Sequence, residues 1–392
     1  MKLWNKTILI SLLLSLMIFA GGCWNYNRLD QLGIVSGLGF DLAPEPGKIL
    51  LTIQVIKPGE VKGGGMGGGS GDGSGGGGQT PVVILESTGT TVFEAVREAV
   101  TKFSRKLFWS HNQVLIIGKE AAENGVRTYL DFEIRDAEPR PTAWVLVASG
   151  KAGDLIKAPG KIDKISAMEI AEIVRAQSVT SKVGGFTTHD FVSRLVSKTT
   201  APIATQIELN EKDEVQLVGT AIFKGDKLAG FIGKRETRGL LWVLDEVKSS
   251  IVVVKAPGNK GEVGLEVTRS RSKIKAEVKK GSLRIKVTVN VRSNLGNEYD
   301  GLDLDRPETL QSLARREATV IRNEINAVIN KAKELNADIF GFGEAVHRAD
   351  PKMWKELEPR WNEIFPELEV DLVVKANINQ VGLIIKPIMP KY

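Results

Sequence analysis

The chain has 392 residues, 42% hydrophobic and 26% charged, with 53 Lys and Arg against 47 Asp and Glu, three histidines and one cysteine. At ~100–200 residues per domain this predicts two or three globular domains, and with one long apolar run it excludes a polytopic membrane protein. A formal charge of +6, spread along the chain apart from Arg269 to Lys286, argues against nucleic-acid binding, and a lone thiol excludes an intramolecular disulfide.

Met1 to Thr7 carries Lys2 and Lys6 and no acid, and Ile8 to Ala20 is almost unbroken apolar sequence. As a helix that run is roughly 20 Å long, short of the ~30 Å hydrocarbon core, so residues 1–22 read as a cleaved secretory signal. Ala20-Gly21-Gly22-Cys23 resembles a bacterial lipobox. The resemblance implies cleavage before Cys23 and a covalent diacylglycerol on its thiol, with membrane lipid as the first partner. An ordinary signal with a chance cysteine and an uncleaved anchor are the other readings, and all three put the bulk of the chain outside the cytoplasmic leaflet. Without Lys2 and Lys6 the balance is 51 basic to 47 acidic residues, +4, which suits a weak attraction to anionic lipid.

Residues 23–200 read as an N-terminal mixed α/β domain. Gly33 to Asp41 and Lys48 to Lys57 read as neighbouring strands, followed by a glycine-rich insertion at 61–80 that cannot bury apolar surface and is expected to be flexible. Val82 to Leu85 reads as a strand. Thr91 to Glu94 is a capping box opening a helix whose apolar face is Val92, Phe93, Val96, Ala99, Val100 and Phe103. Val114 to Ile117 and Thr142 to Ala148 read as buried strands around a helix from Glu120 to Phe132. Ser166 to Glu169 is a second capping box, for a helix to about Gln177, and a shorter helix is expected from Asp190 to Ser197. Pro202 marks a boundary.

Residues 201–256 read as a small middle domain. Two alternating runs flank Gly225-Asp226, a hairpin signal, and Glu236 to Trp242 looks helical. Residues 257–392 read as a C-terminal antiparallel sheet with one wet face, crossed by a long helix from Pro307 to Asn336. In that helix Ala314, Ile321, Val328 and Leu335 repeat every seven residues, with Ala318, Ile325 and Ala332 beside them. Val370 to Ile378 is a final strand. The expected class is α+β and multi-domain.

Three stretches are similar to the Ger(x)C spore germination lipoproteins. The first is CWNYNRLDQLGIVSGLGFD from Cys23. The second is the hairpin and helix carrying Gly219, Ala221, Phe223, Gly230, Glu236, Thr237 and Gly239. The third carries Ala337, Asp338, Phe340, Gly341, Gly343, Pro351, Trp354, Trp361 and Phe365. The resemblance implies the lipoprotein subunit of a nutrient germinant receptor, on the outer face of the endospore inner membrane, partnered by A-type and B-type integral membrane subunits. It makes Trp24, Arg28, Trp354 and Trp361 candidates for partner or membrane contact, with core packing the competing reading for each tryptophan.

No catalytic or metal-binding motif is recognisable. His111, His189 and His347 lack ligand spacing, and Asp300, Asp303 and Asp305 miss the calcium-loop pattern. The sequence therefore gives no reason to expect an enzyme and predicts no metal or small-molecule cofactor; with the resemblance, the expected role is scaffolding for the membrane partners. A solute-binding lipoprotein with a cleft between two similar lobes is the alternative.

Overall fold

The computed structural model describes residues 31–57, 81–257, 261–279, 282–298 and 307–380, together with Trp4 and Lys6. The expected signal, Cys23, Trp24, Arg28, the insertion at 61–80 and the cluster of Asp300, Asp303 and Asp305 lie outside the described residues.

The first sheet holds β1 (Leu32–Leu42), β2 (Ile49–Ile56), β3 (Val82–Gly89), β4 (Lys106–Phe108), β5 (Val114–Ile117), β6 (Trp144–Ala148), β7 (Ile203–Leu209), β8 (Val215–Lys224) and β9 (Lys227–Gly233). Their order is β3-β2-β1-β5-β6-β7-β8-β9, with β4 pairing β1. The central strands β1, β5, β6 and β7 are parallel, and antiparallel pairs extend the sheet on both sides. A parallel centre must be covered on both faces, which is why β5 is apolar throughout. Leu115 and Ile117 enter one core with Ala95 and Ala99 of helix Val92–Thr101 and Leu130 and Phe132 of helix Arg127–Arg135. Val114 and Ile116 enter another with Leu155 of helix Ala152–Lys157 and Ile170 of helix Ser166–Ala176. That second face is tight, since a Cβ on Gly37 of β1 would lie 2.6 Å from Ala167 Cβ.

The second sheet is β10 (Ser250–Lys255), β11 (Glu262–Lys279), β12 (Ser282–Glu298) and β13 (Glu369–Gln380), in that order. The helix Pro307–Glu334 packs Leu313, Ile321, Ile325 and Val328 into a core with Val263, Leu265, Val287 and Val289 of the sheet. The same core takes Ile222, Leu240 and Trp242, so it also joins the two halves of the chain.

The structure differs from the sequence expectations at several points. Residues 201–256 form the expected hairpin and helix, yet β7, β8 and β9 extend the first sheet, because β7 finds an open parallel partner in β6. The second sheet is antiparallel except at β13, which returns parallel to β12 after a connection that includes the long helix, as a parallel crossover requires. The helix expected from Glu120 to Phe132 is two, Lys119–Asn124 and Arg127–Arg135, broken at Gly125 with φ 128°. Ser166 does not cap its helix: its hydroxyl donates to Ile156 O and accepts from Gln54 Nε2. The capping box belongs instead to Thr187 and Asp190. On helix Val92–Thr101 only Val92, Ala95 and Ala99 are buried, while Phe93 and Val100 of the expected apolar face stay 45% and 43% exposed.

Candidate functional site

The second and third motif stretches converge where the two sheets meet, and the residues there form two joints. The first is built on Asp338. The run ADIFGFG places this aspartate just before helix Phe342–Ala349, with glycines where the chain must turn sharply; Gly341 has φ 76°. Asp338 Oδ1 accepts from the backbone N–H groups of Phe340 (3.2 Å), Gly341 (3.0 Å) and Phe342 (3.0 Å). Its Oδ2 accepts from Gly343 N–H at 2.8 Å and Trp361 Nε1 at 3.3 Å. Burial pushes the Asp338 carboxyl up to about 6, against the pull of these donors.

The first sheet's side of this joint is supplied by helix Thr188–Leu195 and the approach to β7. Ala201 N–H donates to Asp338 O at 2.8 Å. Arg194 Nη1 donates to Ile339 O at 2.9 Å and to Ala201 O at 3.3 Å, and burial lowers the Arg194 pKa. Gly343 sits in the crevice, where a Cβ would lie 3.0 Å from Thr199 Cβ, 3.0 Å from the Trp354 ring and 3.1 Å from the Trp361 ring. A cleft of about 150 Å³ remains, lined by Arg194, Lys198, Thr199, Asn336 and Trp361 among others.

The second joint is a helix crossing. Helix Lys234–Leu244 meets Pro307–Glu334 at Gly239, where a Cβ would lie 2.3 Å from Glu324 O, so only glycine permits the approach. Arg238 and Glu324 form a two-pronged ion pair across the crossing, with Arg238 Nε donating to Glu324 Oε2 at 2.9 Å and Nη2 donating to Oε1. Trp242 Nε1 donates to the same Oε2 at 3.0 Å, and Arg238 Nη1 donates to Ile251 O at 3.0 Å. Thr220 and Thr237 share a buried hydroxyl hydrogen bond of 3.0 Å beneath it.

These arrangements are mechanical. Every oxygen of Asp338 and Glu324 accepts from a fixed donor, and both arginines are committed to carbonyls or carboxylate. Trp354 and Trp361, expected as candidate contacts for a partner or membrane, are 2% and 5% exposed and stack edge-on at 5.2 Å in the core beside Gly343. They pack the joint rather than present a surface. Among the described residues no helix is long and apolar enough to cross a membrane, and no group of three or more His, Cys, Asp or Glu is placed to hold a metal. Sequence reasoning singled out Asp338 and Gly239 without their roles and missed Arg194, Arg238 and Glu324. A signal existed for Asp338, an Asx residue followed by glycines at a helix start. None existed for Arg238 and Glu324, which are 86 residues apart.

The first motif stretch is also structural where it is described. Asp41, next to last in β1, accepts through its carboxylate from Ala152 N–H (2.9 Å) and Gly153 N–H (2.8 Å) at the start of helix Ala152–Lys157.

Fold and joints together define a class: a two-sheet α/β protein whose buried charges hold its halves in one fixed relation. Comparison with known proteins gives that class a family. The model described as "Spore germination protein N-terminal domain" matches residues 25–209, and "Spore germination B3/GerAC like, C-terminal" matches 218–382. The chain belongs to the Ger(x)C family of spore germination proteins. It is 28% identical to Spore germination protein KC of Bacillus subtilis (strain 168), covering 99% of each chain. Spore germination protein B3 of the same organism is 22% identical over 95% of this chain and 98% of the relative. The crystal structure of the GerBC protein has the same fold, with a TM-score of 0.54 at 19% identity over 90% of this chain and 99% of that one.

Proposed function

We propose that this chain is the lipid-anchored subunit of a spore germinant receptor, acting by scaffolding rather than by bond making. The observation that carries the reading is the match of family models to both halves, with relatives named as spore germination proteins over nearly their whole length. In this reading Cys23 carries a diacylglycerol and fixes the protein to the outer face of the endospore inner membrane. Trp24 and Arg28, next to the anchor, contact lipid or the integral membrane A-type and B-type subunits. The two joints keep the halves rigid, so that a change at one interface is passed to another as a shift between whole-protein states.

Solute capture is the weaker reading. It needs two similar lobes about a cleft, whereas among the described residues the two sheets have nine and four strands and the cleft where they meet is about 150 Å³.

The test compares native protein with a Cys23→Ala variant by intact mass, detergent partitioning and germination. A diacylglyceryl chain starting at residue 23, lost in the variant together with nutrient-triggered germination, is the expected result. Normal germination by the variant at normal receptor levels refutes the anchoring role.

A further inference from the structure

We propose that the groove between helix Val92–Thr101 and β4 is a lipid-contact surface that receives acyl chains of the outer leaflet. The inference rests on the anchoring of Cys23. The groove has a volume of about 570 Å³. Its floor is Leu107, Trp109 and Phe132, and its wall is Phe93, Val96 and Val100. Phe132 is held edge-on by both Phe93 (5.1 Å) and Trp109 (5.4 Å), so the floor is preformed.

Three observations point to lipid. The wall residues recur at helical spacing on one stripe, about 10 Å from Phe93 to Val100, with Phe93 and Val100 left open to solvent. Val92, Ala95 and Ala99 face the protein core, and the strip beside them is an exposed apolar patch next to a preformed groove, which marks a docking surface.

Position is the second. Lys106 at the groove's edge pairs with Leu32, the first residue of β1. From Cys23 to Leu32 the chain spans at most about 30 Å when fully extended. The start of β1, and with it the β4 side of the groove, is therefore held within about 30 Å of the anchored cysteine, in reach of the bilayer surface.

The third is the rim, where Arg97 and Lys106 stand with Asp136 and Glu138. Lys106 pairs with Glu138 at 3.8 Å, so with two charges of each sign the rim has no net charge, and contact is expected without anionic lipid.

The test uses full-length protein processed in a lipoprotein-competent bacterium, where lipid occupies Cys23 and an introduced cysteine is the only free thiol. An environment-sensitive fluorophore is placed at Arg97→Cys, on the rim, or at Ile162→Cys, an exposed position before the helix on the other face of the sheet. Each is reconstituted into phosphatidylcholine vesicles with and without nitroxide-bearing acyl chains. The expected result is a blue shift and quenching at position 97, absent at 162, and lost when Phe93→Ser and Val100→Ser are added. Equal quenching at both positions, or none at either, with Cys23 lipidated by intact mass, overturns the groove assignment. A blue shift at 97 that rises with protein concentration in the absence of lipid assigns the groove to a second copy of the chain and overturns it as well. An unmodified Cys23 refutes the anchoring reading, and the tether argument falls with it.

Discussion

Removing the Glu324 carboxylate is the sharpest test of the helix crossing, because its effect depends on what replaces its partner. In Glu324→Ala the Arg238 guanidinium, whose side chain is 14% exposed, loses both prongs of its ion pair. Breaking a buried pair on one side costs about 3–5 kcal/mol. The Trp242 indole N–H, fully buried, loses its acceptor too, adding about 1–3 kcal/mol. Because one void serves both groups, about 5 kcal/mol is expected in all. Replacing both members, Arg238→Met with Glu324→Met, removes both charges and leaves only the indole unsatisfied, a loss of about 1–3 kcal/mol. The double variant is therefore more stable than the single one. Urea denaturation of the Cys23→Ala chain, followed by tryptophan fluorescence and circular dichroism, measures all three proteins. A single-variant loss below about 1 kcal/mol, or a double variant no more stable than Glu324→Ala, refutes the assignment of this pair as the bond across the crossing.

Two further outcomes follow from the packing and the buried acids. Gly239→Val drives a side chain into backbone atoms of Glu324, so the helices must separate, and the loss is about 1–3 kcal/mol or more in the same assay. Gly150→Ala, with nothing within 4 Å of the added Cβ, is the neutral comparison. Glu133 is buried without a protein hydrogen-bond partner, and burial, with Asp136 adding to it, pushes it up to about 7. A carboxyl raised from 4.5 in the unfolded chain contributes stability that is complete below about 4.5 and lost as the pH rises through about 7. Glu133→Gln should therefore lessen the decline in stability between pH 5 and 8 by roughly 3 kcal/mol, with Glu317, Asp338, Asp41 and Glu246, also raised by burial, contributing to what remains. Parallel pH curves for variant and wild type refute that account.

Much of the fold was legible where the signal is local. The apolar run Val114–Ile117 declared a covered strand, Gly225-Asp226 declared a hairpin, and Pro307 marked the start of the long helix. What was not legible is which strand meets which. Nothing in β7 states that it pairs with β6, because parallel pairing leaves no turn between the partners to read. The joints were hidden for the same reason. Asp41 and its helix are 111 residues apart, and Arg194 and Ile339 are 145. An acid and a base with no common period cannot be matched from one sequence.

The two amphipathic helices show where periodicity stops carrying information. Pro307–Glu334 and Val92–Thr101 both present an apolar stripe, and the sequence reads both as packed faces. On the long helix the stripe meets two partners, the second sheet and helix Lys234–Leu244, and nearly all of it is covered. On the short helix the sheet reaches only the arc of Val92, Ala95 and Ala99. Phe93 and Val100 lie beyond that arc, because β4, the neighbouring strand, has only three residues and ends before it can cover them. A stripe fixes that a helix has an apolar face; the width of the surface opposite decides how much of that face the fold consumes. Tryptophan follows the same logic in reverse. Trp354 and Trp361 were candidate contacts with core packing as the competing reading, and the missing side chain at Gly343 opens a crevice that takes both rings inward. Surplus apolar width on a helix, rather than aromatic residues as such, is the feature of this sequence that points to a surface with an outside partner.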